Sequence, residues 1–386
     1  MHNLESLKLD FHNCRALKSI QRLGESLPAL HRLSYISLNL AQAGIDSLDD
    51  FWEHLAAASS VKRCSFEIAL STTTDGIASS LAVGISTLSS LEVCEVILNG
   101  YNEAVFDIGE SLASTSRVPI LRVRAAETVP KIEGVPLSKM RAGLEGLKVL
   151  EWAGDDIKSL PIVLGSATRL STLDLKNTRY NTFWDNVGPG LAKPIVQMSW
   201  LEVLALDLHD MNLIDCVLEL FSAFSTASFE RLKKLHVVFT SEFSNRGTGG
   251  NIVCLDDFAI FSGQRMPLMK SLRLAFCVEE CYYDWDYNWN RELFSNISGF
   301  ADGLRALNGR LDDLEVKLKD FFVTRNSIAR VLQAAVDCVD GATKLDLELG
   351  SLPRIQSVED LCDALCRTEK ESLQSEKLSL PTQLTL

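Results

Sequence analysis

Leu33-Ser34-Tyr35-Ile36-Ser37-Leu38 is answered by Val61-Lys62-Arg63-Cys64-Ser65-Phe66 and again by Leu91-Glu92-Val93-Cys94-Glu95-Val96. Each stretch has the form apolar-x-x-apolar-x-apolar. Working outward, the form starts with Leu4, Leu7 and Leu9 and returns at Val118, Leu147, Leu170, Leu201, Leu232, Met269 and Leu311. It recurs more weakly at Ala342, Leu345 and Leu347, and a broken copy, SEKLSL, occupies 375–380. Successive full copies begin 29, 28, 30, 27, 29, 23, 31, 31, 37, 42 and 31 residues apart. Such spacing predicts one structural unit repeated about 12 to 13 times, irregularly, in a single domain over 1–386. The last two apolar residues of each copy lie two apart, so a short strand turns both to one side and the residue between them to the other. Consecutive units then stack their strands in parallel. The two long intervals predict insertions near 240–256 and 277–292.

Between the strands the apolar spacing changes from two to that of a helix. In Ser47 to Ala57, Leu48, Phe51, Trp52 and Leu55 fall at i, i+3, i+4 and i+7, and Ser47 with Asp50 offers a capping-box start. Val217 to Phe224 reads the same way. So does Asn326 to Val339, where Ile328, Val331, Leu332, Ala335 and Val336 form one stripe. The expected class is α/β, one strand and one helix per unit.

Of the 386 residues 46% are hydrophobic and 23% charged, enough apolar material for a core and too little charge for wholesale disorder. The formal net charge of -13 repels phosphates and anionic lipid, so neither nucleic acid nor a membrane surface is an expected partner. Met1 to Phe11 alternates charged and apolar residues and lacks the apolar run of a secretory signal. The expected location is cytoplasmic or nuclear, with no secretion. Ten cysteines are scattered through the chain, and Cys64 and Cys94 stand where other units carry leucine, which fits reduced, buried thiols. Cys277 with Cys281 and Cys362 with Cys366 share a four-residue spacing without the His or second pair that a zinc site needs, so no metal is expected.

The repeated strand motif with its intervening helical stripes resembles the leucine-rich-repeat family, in its ribonuclease-inhibitor-like subtype, over nearly the whole chain. That resemblance implies a horseshoe-shaped solenoid with the parallel sheet on the concave face and the helices on the convex face. The Asn or Cys that the family places shortly after each strand is met loosely by Asn13, Cys14, Asn99 and Asn177. Irregular units of about thirty residues look most like the substrate-binding repeats of fungal F-box proteins, the specificity subunits of cullin-RING ubiquitin ligases. The function this implies is protein binding as a substrate receptor, with a cullin-RING ligase as partner if an F-box lies upstream. The first strand begins by Leu4, so no F-box is expected in this chain. A scaffold or sensor of the same repeat type without a link to ubiquitin ligation is the alternative.

The outward residue between the two inward ones forms a lateral row, one residue per unit. It runs Lys8, Ser37, Ser65, Glu95, Arg122, Glu151, Asp174, Ala205, His236, Arg273, Glu315 and Asp346. Arg122, Glu151, Asp174, His236 and Arg273 are its candidate contact residues. The plainer reading of the row is a solvated face whose alternating charges neutralise one another. A second candidate is the Cys277 to Glu292 insertion, where Tyr283, Trp285, Tyr287 and Trp289 alternate with Asp284 and Asp286. Aromatic rings anchor interfaces because they bury area at low entropic cost, and the acidic neighbours favour a protein partner with a basic segment. Packing of the insertion on its own solenoid is the alternative. Arg179, Tyr180, Phe183 and Trp184 form a lesser aromatic cluster, and SNRGTGGN at 244–251 reads as a linker because no Lys-Ser or Lys-Thr follows its glycines.

Six histidines lie in distant units, without a triad or metal motif among them. No enzymatic activity, catalytic residue or cofactor is expected.

Overall fold

A computed structural model describes residues 4–45, 47–69, 75–88, 91–100, 104–115, 117–124, 144–153, 160–176, 188–209, 220, 223–224, 227–242, 266–279, 298–307, 311–319, 334, 344–348 and 384–385. The chain divides into two compact units, Met1–Thr178 and Arg179–Leu386.

In the first unit the strands β1 (Ser6–Asp10), β2 (Tyr35–Asn39), β3 (Arg63–Ala69), β4 (Val93–Asn99), β5 (Val118–Arg124), β6 (Val149–Ala153) and β7 (Thr172–Lys176) lie side by side in chain order. Each strand pairs in parallel with the next. Helices α1 (Gln21–Ser26), α2 (Asp49–Ala57), α3 (Asp75–Thr87), α4 (Ala104–Thr115) and α5 (Leu160–Ser166) lie between them in sequence. Parallel neighbours need a crossover, and these helices supply it everywhere but between β5 and β6, where residues 125–143 lie outside the described ones. Along β2, β4 and β6 buried residues alternate strictly with half-buried ones. Ile36, Leu150 and Leu173 at the second apolar position and Phe66 and Val96 at the third are 0% exposed, so both point into the core as the period of two requires.

The helix read between Ser47 and Ala57 is α2, and Leu48, Phe51, Trp52 and Leu55 are all buried. Its start differs from a capping box. Leu48 occupies the N-cap, and the Ser47 hydroxyl accepts from the Asp49 N–H at 3.0 Å. Asp49 in turn accepts from Ser80 of α3 at 2.6 Å, and this hydrogen bond is the main cause holding its carboxyl below the ordinary range. The Trp52 ring meets the Phe66 ring of β3 edge-on, with centroids 4.9 Å apart, so helix and sheet share one core. On its other side α3 approaches through Gly84, where a Cβ would enter the Trp52 ring.

The turns after β1 and β2 repeat one device. Asp10 Oδ1 accepts from the His12 N–H at 2.8 Å and Asn39 Oδ1 from the Ala41 N–H at 3.1 Å. The residue after each closed turn is left-handed, Asn13 at φ 60° and Gln42 at φ 58°. The Asn13 N–H donates to the Ala41 carbonyl at 3.1 Å, so turn stacks on turn as strand does on strand.

Between β4 and β5 the register departs from the sequence alignment. Val96 pairs with Leu121 and Ile97 with Arg122, two residues away from the expected partners Val123 and Arg124. Val118, the leading apolar residue of its copy, is 39% exposed, and Pro119 beside it is buried. A slip of two keeps every side chain on its own face, which a slip of one would not.

The second unit carries α6 (Gly188–Val196), β8 (Val203–His209), β9 (Lys234–Glu242), β10 (Ser271–Glu279), α7 (Ser298–Arg305), β11 (Asp313–Lys319), β12 (Lys344–Glu348) and β13 (Leu384–Thr385). Here too the strands are parallel and in chain order, with Leu204, Leu235, Leu272, Leu314 and Leu345 in register. Leu345 pairs next with Leu384, which lies past the SEKLSL copy; that copy is outside the described residues. Of the helix read over Val217 to Phe224, Leu220 and Phe224 are described and buried; of that over Asn326 to Val339, Ala334 alone is described, helical and buried. The chain is thus an α/β repeat array built on parallel sheet. Among the described residues no helix is long and apolar enough to cross a membrane.

Candidate functional site

The polar side chains between the inward positions of each strand share one face of the sheet. In the first unit Arg122, Glu151 and Asp174 come from β5, β6 and β7 and are directly in register, as the sequence row requires. Arg122 stands between two carboxylates, its Nε 2.7 Å from Glu95 of β4 and its Nη1 3.2 Å from Glu151. The Nε contact lies off the N–H axis, so it is a charge contact rather than a hydrogen bond. Because of the two-residue slip, Glu95 approaches Arg122 diagonally and the residue in register is Ile97. Glu67 of β3, in register with Ile97 and so with Arg122, accepts from two donors one row further along, Asn99 Nδ2 at 2.9 Å and Arg124 Nη1 at 3.2 Å. Three strands are tied by one carboxylate. Ser65, expected on this face, is only 6% exposed.

Burial is the largest influence on Glu151 and pushes its carboxyl above the ordinary range; Arg122 pulls the other way, and the neighbouring charges of Asp174 and Glu95 add to the rise. A carboxyl raised by folding contributes stability that is fully present below its unfolded value and is lost as pH climbs through the folded one. Glu151→Gln removes that dependence. The variant is expected to match or exceed the parent at pH 7, by under about 1 kcal/mol, and to lose less stability between pH 4 and pH 7. Thermal melts over that range check it, and a steeper loss in the variant would reverse the sign assigned to Glu151.

In the second unit Ala205, His236, Arg273, Glu315 and Asp346 are in register across β8 to β12, as the row predicts. Arg273 Nε lies 3.2 Å and Lys317 Nζ 3.5 Å from the same Glu315 oxygen. His236 Nε2 lies 3.3 Å from Ser271 Oγ, a diagonal neighbour on β10. Among the described residues no group of His, Cys, Asp and Glu could hold a metal ion.

The row reading overlooked two aromatic positions. Tyr35 at the start of β2 has Lys8 Nζ 5.6 Å and Arg63 Cζ 5.7 Å from its ring centre, one cation from each neighbouring strand. In the second unit Arg231 stacks on Trp200 at 4.0 Å, both just before strands of successive repeats, and the equivalent Leu268 is 48% exposed. Tyr35 stands in an x position ahead of the inward pair, and Trp200 and Arg231 each stand one residue before their copy begins; the row covered neither position.

The aromatic insertion begins later than expected. Cys277 to Glu279 extend β10 and pair with Thr240 to Glu242. Tyr283, Asp284, Trp285, Asp286, Tyr287 and Trp289 lie outside the described residues, as do Cys281, Cys362, Cys366, the cluster from Arg179 to Trp184 and the 244–251 stretch. Compared with known proteins, the chain matches no family model and no curated protein.

Proposed function

We propose that the chain is a protein-interaction module of leucine-rich-repeat type, with the polar face of its sheet as the concave receiving surface, and that it serves as the substrate-recognition repeat region of an F-box-type ubiquitin ligase subunit. The observation that supports binding on this face is the ladder Glu95, Arg122, Glu151. Each member comes from a successive strand, and contacts of 2.7 and 3.2 Å hold the three together. Charges pre-set in this way select a complementary pattern and fix its register, with less ordering cost on contact. The ligase role rests on the resemblance of the irregular thirty-residue units.

The test captures the full chain from a eukaryotic host beside an Arg122→Ala, Arg124→Ala variant whose melt matches it. A protein held by the parent and lost by the variant is the expected outcome. Equal retention overturns the face. The ligase role is tested on the product that includes the upstream coding sequence: cullin-RING components captured with it support the role, and face-dependent retention without any ligase component overturns it and leaves the scaffold reading.

The aromatic insertion is proposed as the anchor of the same partner, through Tyr283, Trp285, Tyr287 and Trp289. Trp285→Ala and Trp289→Ala are each expected to weaken binding of the captured partner by about 2 kcal/mol or more, with little change in stability. Calorimetry beside thermal melts separates this from packing, which would leave affinity unchanged and lower stability by roughly 3 to 5 kcal/mol.

A further inference from the structure

Cys64 of β3 and Cys94 of β4 are direct partners across two consecutive strands. Both occupy inward positions, 1% and 0% exposed, and their sulfurs lie 3.2 Å apart. Neighbouring strands in a sheet run about 4.8 Å apart, within the range of Cα separations that a disulfide spans. A bond of about 2.0 Å requires the sulfurs to close from 3.2 Å by side-chain rotation and a small approach of the two strands, which can stay in register. We infer that Cys64 and Cys94 are a reversible dithiol–disulfide site that ties two consecutive repeats together through the core.

The co-reactant is a low-molecular-weight disulfide such as oxidised glutathione. One cysteine thiolate attacks it, forming a mixed disulfide and releasing one glutathione thiol. The second cysteine thiolate attacks the protein sulfur of that mixed disulfide and releases the other. Two protein thiols lose two protons and two electrons, and one glutathione disulfide becomes two thiols. Burial raises the Cys64 thiol well above its ordinary value, which suppresses the attacking thiolate in the closed state. Exchange therefore waits for β3 and β4 to open, and the same shielding protects the bond from reductants once it has formed. Among the described cysteines, exposed Cys14 has no such gate and exchanges before Cys64 and Cys94.

The chosen residues also sit beneath the polar ladder. Glu67 on β3 and Asn99 on β4 are joined across the other face of the same two strands. Oxidation would thus fix the strand pair from both sides.

The experiment incubates the full reduced chain with oxidised glutathione, once folded in mild urea and once during refolding from denaturant. Remaining thiols are then alkylated and the peptides mapped. The expected result is a peptide pair linked through Cys64 and Cys94, lighter by two hydrogen atoms, and a thermal midpoint raised by roughly 5–10 °C that falls back with reductant. Cys64→Val and Cys94→Val variants should lack both the link and the reductant-sensitive shift. If either variant fails to fold, the peptide map of the parent still decides. Cys64 and Cys94 recovered only as alkylated or singly glutathionylated residues in both arms would overturn the inference.

Discussion

Leu173→Asp is expected to cost about 4–5 kcal/mol at neutral pH, near the upper end for a single substitution. Leu173 is 0% exposed and pairs with Leu150 across β6 and β7. The change removes a buried aliphatic side chain, worth about 2–5 kcal/mol as Leu→Ala, and adds a carboxylate with no water to solvate it. The two parts can be separated. Leu173→Ala carries the packing loss alone and is independent of pH, whereas the aspartate recovers stability as acid neutralises it. Because repeats touch mainly their neighbours, the damage is expected around β6 and β7 first, seen as a broadened or two-step urea transition. A Leu173→Asp chain that melts like the parent would remove Leu173 from the core.

The second large effect lies where α2, α3 and β3 meet. Trp52→Ala is expected to cost about 3–5 kcal/mol, since the ring is 3% exposed and fills the space between Phe66 and Gly84. Gly84→Ala, ordinarily a gain within a helix, is expected instead to cost about 1–3 kcal/mol because its methyl would occupy the ring's volume. In a Trp52→Ala background the same alanine becomes neutral or favourable. Urea titrations of both single variants and the double test this coupling. Additive costs would mean that Gly84 does not face the ring.

The strand motif was legible because a pleated strand half-buried in a core imposes a period of two on the letters, and Ile36, Leu38, Cys64 and Phe66 obey it. The β4–β5 register was not legible for the same reason: a period of two is blind to a shift of two. Val118 looked like the leading apolar residue of its copy, while Pro119 beside it is the one buried. Faces survived this error; neighbours did not, so Arg122 was placed beside Glu95 in a row that in fact runs through Ile97. Helix α3 did leave a helical stripe, since Ala78, Leu81, Ala82 and Ile85 fall at i, i+3, i+4 and i+7 and are all buried, but buried Ser80 and Val83, 65% exposed, blur its contrast. Gly84 on the same helix is the residue that lets it approach Trp52. Of the candidate contact residues, those on strands were placed by periodicity. The aromatic insertion lies outside the described residues, and the role proposed for it rests on composition alone.

In the first unit each strand's neighbours in the sheet are its neighbours in sequence. Tension applied to the chain from the β1 end therefore meets a series of small resistances in order, never the whole sheet in parallel. Each released repeat of about 29 residues would pay out about 100 Å of extended chain before the next one bears load. Mechanically the unit is a stepwise extensible tether, and its force trace should be a sawtooth of near-equal low peaks.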